Sequence, residues 1–181
     1  FLCDKFPDGV SYAPSCQLLR LAQKQKRPQR KSLFGIQNPT QDLTYTELEV
    51  NNILTEFQQH QILSEEQATK DNLSQNNSQL GQVHYLHFSC HGSFQPNSPL
   101  DSFILLAAGY VSNIPPHTDN RRYVKLSNGQ KIDLNECLTL GNLFEREIDL
   151  DQCRLVVLSA CETGLIDFTS DEYIGLPSGF L

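Results

Sequence analysis

The run "CRLVVLS", Cys153 to Ser159, is apolar on successive positions rather than on alternating ones. A strand with one face in water alternates, so this run belongs to a strand covered on both faces, as in a parallel sheet flanked by helices. Three further apolar runs, "SLFGI", "VHYLHFS" and "SFILLAA", read as buried strands too. Between them, "TYTELEVNNILTEFQQHQI", Thr44 to Ile62, predicts a helix: it opens with capping-box spacing between Thr44 and Glu47 and sets Val50, Ile53, Leu54 and Phe57 on one face. A second helix is expected through "LNECLTLGNLFERE", turning Leu138, Leu140, Leu143 and Phe144 to the sheet, although Gly141 weakens it. Residues 70–82 are Asn/Gln-rich and read as a weak helix with a loop. In the insertion spanning residues 109–133, Asn128-Gly129 signals a two-residue type I′ hairpin, on a segment placed to project near the strand ends. Strands alternating with helices predict a single α/β domain over residues 1–181, with a mostly parallel central sheet and helices on both faces.

Charge and cysteine usage narrow the function classes. The net charge is -7, which argues against a chain built to hold nucleic acid or an anionic membrane. Residues 1–31 nevertheless carry seven Lys or Arg and two Asp, a local +5 that leaves -12 for the rest. The basic run "RLAQKQKRPQRK" is read as a solvated linker or helix end. Six cysteines without a CxxC pair or a secretory signal point to free thiols in the cytoplasm, with no metal and no cofactor expected. No apolar run approaches a membrane span. The chain starts at Phe1, has no methionine and ends on the apolar "GLPSGFL", from which a fragment is expected, cut from a longer chain at the N-terminus and incomplete at the C-terminus.

Two strand-like runs end in reactive side chains. "YLHFSCHGSF" ends in the loop carrying His91, and "RLVVLSACETG" in the loop carrying Cys161. In an open parallel sheet, ligands and catalytic groups sit at the carboxyl ends of the strands. If the two strands are parallel neighbours, His91 and Cys161 arrive at one edge of the sheet, as a Cys-His nucleophile pair requires. Gly92 N–H and Cys161 N–H are then candidate oxyanion donors. On these residues alone the blander reading, a cysteine that only packs, is the stronger one. Strand alternation turns Cys90 to the core and scatters His84 and His87 over two faces, which disfavours a metal site at His84, His87, Cys90 and His91.

"HFSCHGSF", "SPLDSFILLA", "LVVLSACETGL" and "GLPSGFL", with "VSYAPS", "FGIQNPT", "LTYTELEV" and "ILSEEQATKDNL", resemble the CHAT domain over nearly the whole chain. CHAT domains are caspase-like cysteine peptidase relatives often fused to TPR repeats. The resemblance implies a three-layer α/β/α sandwich of caspase-like fold, with His91 as catalytic histidine, Cys161 as nucleophile and an oxyanion hole at Gly92 and Cys161. It also implies a protein or peptide substrate, with TPR repeats in the parent chain. Ser159 lies where some caspase relatives that cleave after Arg or Lys carry an acid, so the absence of a charge there removes one simple specificity rule, and Ser159 remains a candidate substrate-binding residue. Glu162 is either a specificity element or, the favoured reading, an acid suited to a helix N-terminus. Asp167, Asp171 and Glu172 form an acidic stretch that can receive a basic side chain but reads better as a solvated loop. Asp101 is a candidate to orient the site. The leading expectation is a cysteine endopeptidase, and the alternative is a catalytically inactive interaction or signalling domain.

Overall fold

The computed structural model describes residues 16–24, 32–116, 121–126, 128–161 and 175–180. Four parallel strands form the central sheet: β1 (Ser32–Gln37), β2 (Gln59–Ser64), β3 (Tyr85–Ser89) and, last in the chain, β10 (Leu155–Ser159). Their spatial order is β10-β3-β1-β2. The chain leaves β1 towards β2 on one side and later returns on the other side as β3 and β10. The loops after β1 and β3 therefore part and open a crevice at the carboxyl edge.

Strand alternation assigns the two faces. Phe34, Ile36, Leu86 and Phe88 point to a large core shared with Leu73 of α3 (Lys70–Gln75), Leu80 of α4 (Asn77–Leu80), Leu140 and Leu143 of α5 (Leu140–Phe144) and Leu176 of α6 (Leu176–Gly179). The opposite face carries His87 and Ser89 and is covered by α2 (Thr46–Leu54). The result is a layered α/β arrangement with helices on both faces of a parallel sheet, as the sequence predicts. Cys90 is buried in the large core. At the N-terminal side, α1 (Cys16–Lys24) takes up the start of the basic run, and the rest of that run lies outside the described residues.

Several elements differ from expectation. The helix expected to reach Ile62 stops at Leu54, where Glu56 N–H and Phe57 N–H close a tight turn on the carbonyls of Ile53 and Leu54. Phe57 then packs edge-on against Tyr85, and "QHQILS" becomes β2, because pairing with β1 satisfies its backbone. No Thr44–Glu47 capping box forms; instead the Thr46 hydroxyl donates to the Leu43 carbonyl. "LNECLTLGNLFERE" is not one helix. Its β9 (Leu138–Thr139) hands over to α5 through a capping box in which Thr139 and Asn142 exchange side chain-to-backbone bonds of 2.9 and 3.1 Å. Phe144 consequently faces water.

"SFILLAA" does not enter the central sheet. Only β5 (Phe103–Ile104) forms, between β4 (Gly92–Ser93) and β9 in a small antiparallel sheet. The run is apolar throughout because it separates two cores: Ile104 and Leu106 face the large one, while Phe103 and Leu105 face a second one with Ile132, Leu134 and Cys137.

The insertion builds a third sheet, β6 (Tyr110–Val111), β8 (Lys131–Asp133) and β7 (Tyr123–Lys125) in that order. Its hairpin closes with Leu126 N–H donating to the Gln130 carbonyl and Gly129 at φ +87°. Three positions therefore separate the paired ends, where a type I′ turn has two. Arg122 grips the buried Asp133 carboxylate with two fork-like bonds and ties this sheet together. No helix among the described residues is long and apolar enough to cross a membrane.

Candidate active site

The β3–β10 ladder aligns the two reactive loops. Ser89 pairs in register with Ser159, and Cys90 N–H still reaches the Ser159 carbonyl at 3.3 Å. His91 and Cys161 each follow two residues after that pair, so equal offsets on adjacent parallel strands bring them out side by side. Both line one cleft of about 650 Å³ together with Gly92 and Asp42. The hairpin strand β7 and its turn form another wall through Val124, Lys125 and Asn128, so the insertion does border the site. A second cleft of about 540 Å³ meets the first at Asp42 and carries Glu47 and Glu65.

Gly92 is placed to donate its N–H outward. Leu105 N–H donates to the His91 carbonyl, so Gly92 and Ile104 form the non-hydrogen-bonded pair of the β4–β5 ladder. The Gly92 N–H thus points away from β5. Of the two cysteines near the strand ends, Cys161 is exposed, whereas burial pushes the Cys90 thiol far above the usual range and keeps it protonated.

Asp42 is the residue that sequence reasoning missed. Its Oδ1 lies 3.0 Å from His91 Nε2. The loop after β1 holds it there: Asn38 N–H donates to the Ser89 carbonyl at 2.8 Å, the Asn38 side chain accepts from Leu43 N–H, and the Thr40 hydroxyl donates to Asp42. Asn38 and Gln41 adopt φ of 46° and 61°, conformations that cost free energy and persist only where the surroundings impose them. Partial burial alone raises the Asp42 carboxyl, but the bonds from Thr40 and His91 and the His91 charge outweigh it and hold the group below its ordinary value. An ionised carboxylate only accepts hydrogen bonds. Nε2 therefore carries the proton, and Nδ1 is the nitrogen left free to act as a base. Asp101, only a candidate to orient the site, accepts a bond from Ser98 within its own turn.

Beneath the cleft, Glu49 of α2 accepts the Ser89 hydroxyl at 2.5 Å and a hydrogen bond from Ser159. Ser159 is thus bound to Glu49 and is not among the residues lining the cleft with His91. His87 Nε2 lies 3.3 Å from Glu49 Oε1 but makes no hydrogen bond, so that contact is electrostatic. Glu162, Asp167, Asp171 and Glu172 lie outside the described residues. His84 Nδ1 is 2.7 Å from the Ser32 hydroxyl, and among the described residues no three His, Cys, Asp or Glu side chains gather as a metal set would.

This cluster makes the fold acid-sensitive with one sign. Burial lowers the His87 pKa, against the pull of Glu49. Burial raises the Glu49 carboxyl, but the bonds from Ser89 and Ser159 and the nearby His87 outweigh it, so Glu49, like Asp42, titrates below its ordinary value. As pH drops through about 6.5, the unfolded chain takes up a proton that folded His87 refuses. Near pH 4, unfolded carboxylates protonate before the folded ones. Each step removes stability present at higher pH. The urea midpoint is therefore expected to fall from pH 7.5 to 5.5 and again to 4, with the first fall smaller in His87→Gln; a midpoint that rises on acidification contradicts this account.

No curated protein and no solved structure matches the chain. The sequence model of the CHAT domain matches residues 1–181, the whole of it, and the chain belongs to this caspase-like, peptidase-related family.

Proposed function

We propose that this CHAT domain is a cysteine endopeptidase acting on peptide or protein substrates. The observation that carries the reading is the Ser89–Ser159 register, which delivers His91 and Cys161 at equal offsets into one cleft. His91 Nδ1 takes the Cys161 proton, and the thiolate attacks the scissile carbonyl. Gly92 and Cys161 N–H groups stabilise the oxyanion. The imidazolium returns the proton to the leaving amine, which departs as the thioester forms. Water, deprotonated by the same imidazole, then hydrolyses the thioester and frees the thiol and a carboxylate. The two clefts share Asp42 as a lining residue and together give an extended chain room beside the pair.

Asp42 orients His91 in this scheme and fixes its tautomer. Asp42→Asn is expected to lower kcat roughly ten- to a hundredfold, less than for a buried orienting acid, because water reaches this half-exposed pair. The unfolding midpoint should barely move, and steady-state kinetics beside thermal melts check both parts.

The rival reading, a catalytically inactive docking domain, draws on the exposed Leu48, Leu155 and Val157. Hydrolysis of a pooled set of internally quenched peptides separates the two. Turnover by the parent protein that disappears in His91→Ala supports the peptidase. A folded protein that cleaves nothing, or a His91→Ala variant as active as its parent, overturns it.

A further inference from the structure

Glu49 stands at the margin of the layer between α2 and the sheet, its side chain about 34 % exposed. It lies on α2, against the sheet face that carries His87 and Ser89, both buried. Three polar side chains converge on its carboxylate: the hydroxyls of Ser89 and Ser159, and the His87 imidazole. Burying the His87 imidazole there costs free energy that a leucine would not. Departures of this kind from the packing rule concentrate at functional sites.

The two serines are the last residues of β3 and β10, paired in register, and the next residues but one are His91 and Cys161. β10 also lacks a second neighbour: among the described residues it pairs with β3 alone and stands half-exposed at the end of the sheet. Among the described residues the ladder bonds of the strand that presents Cys161 run to β3, and Cys90 N–H reaches the Ser159 carbonyl at 3.3 Å. Hydrogen bonds to a charged acceptor are shorter and stronger than neutral ones. Glu49 supplies two, one to each strand, from a different layer of the fold.

We propose that Glu49 is a positioning residue that clamps the ends of β3 and β10 together and thereby sets the spacing of His91 and Cys161. The inference rests on the peptidase reading and deepens it. Glu49 touches neither substrate nor reacting atoms. It acts by holding two loop roots at a fixed separation, and a misplacement of about 1 Å between reacting groups is enough to cost on the order of a hundredfold in rate.

The test compares kcat, KM and thermal midpoint for the full chain and for Glu49→Ala, Glu49→Gln, Ser159→Ala and the Glu49→Ala/Ser159→Ala double variant. Leu73→Ala, a cavity in the opposite layer, serves as the stability control. Glu49→Ala is expected to lower kcat roughly ten- to a hundredfold with KM little changed. Glu49→Gln, which keeps an acceptor oxygen for one serine, should recover much of the loss. Ser159→Ala should add little on top of Glu49→Ala, since both break one clamp. Leu73→Ala should lose thermal stability and keep kcat. Hydrogen exchange supplies a readout independent of turnover: residues 85–91 and 155–161 should exchange faster in Glu49→Ala than in Leu73→Ala. An active parent whose Glu49→Ala variant keeps its kcat overturns the clamp and leaves the peptidase intact. A kcat loss that Leu73→Ala matches also overturns it. A parent that cleaves nothing fails the peptidase reading itself and takes the positioning role down with it.

Discussion

Cys161→Ala is expected to abolish capture of the protein by peptidyl electrophiles and to lower peptide hydrolysis roughly 10⁴- to 10⁶-fold, the scale seen when a nucleophile acting as one unit with its base is removed. Neither Cys90 nor Cys137 can take over. Cys90 sits one residue past the β3–β10 pairing, but it is buried and protonated, and burial likewise pushes Cys137 up to about 12. His91→Ala should cost nearly as much as Cys161→Ala, and the double variant little more, because imidazole and thiol act as a unit. Stability should hardly change, since the Cys161 side chain is exposed. A substantial residual rate in Cys161→Ala would place the nucleophile elsewhere.

Phe88→Ala is expected to cost about 3–5 kcal/mol of folding stability, the range for truncating a fully buried phenylalanine. Phe88 is fully buried in β3, with β1 on one side and β10 on the other. Its ring lies 5.9 Å from that of Phe180, which joins the C-terminal α6 segment to the central sheet. Removing the ring opens a cavity against Phe34, Ile36 and Leu86, whose strands are locked by ladder bonds and cannot collapse inward. Phe144→Ala is the contrast: half-exposed at the end of α5, it should cost under about 1 kcal/mol. Urea midpoints of the two variants decide the matter, and equal shifts would mean that the core is wrongly located.

Three strands of the central sheet are legible in the sequence because each is a compact apolar run, but only β1 and β3 are covered on both faces; β10 ends the sheet, and among the described residues Leu155 and Val157 stay exposed, so the expected covering of that strand on both faces is not found. β2 is not. "QHQILS" follows a helical pattern without a Gly or Pro break and places only Leu63 in the core, so helix periodicity runs on through it. "SFILLAA" shows the limit of reading apolar runs, since a segment wedged between two cores is as continuously apolar as a parallel strand. His91, Gly92 and Cys161 are visible because strand ends in a parallel sheet are where chemistry collects. Asp42 is hidden 49 positions from His91 in a turn-rich loop, where an acid is ordinary. The signal that finds it is topological: the loop after β1 must flank the loop after β3 once those strands are neighbours. Glu49 reads as a surface acid of an amphipathic helix, and only the Ser89–Ser159 register shows what it holds.

The central claim is an assembled Cys161 nucleophile activated by His91, and intact-mass labelling tests it most directly. The protein is exposed to a mixed pool of peptidyl acyloxymethyl ketones with acidic, basic and neutral P1 residues, beside Cys161→Ala and His91→Ala. The account predicts a single adduct, mapped to Cys161, absent from Cys161→Ala and much slower to form in His91→Ala. A folded protein that takes up no adduct, or one labelled equally well without Cys161, contradicts it.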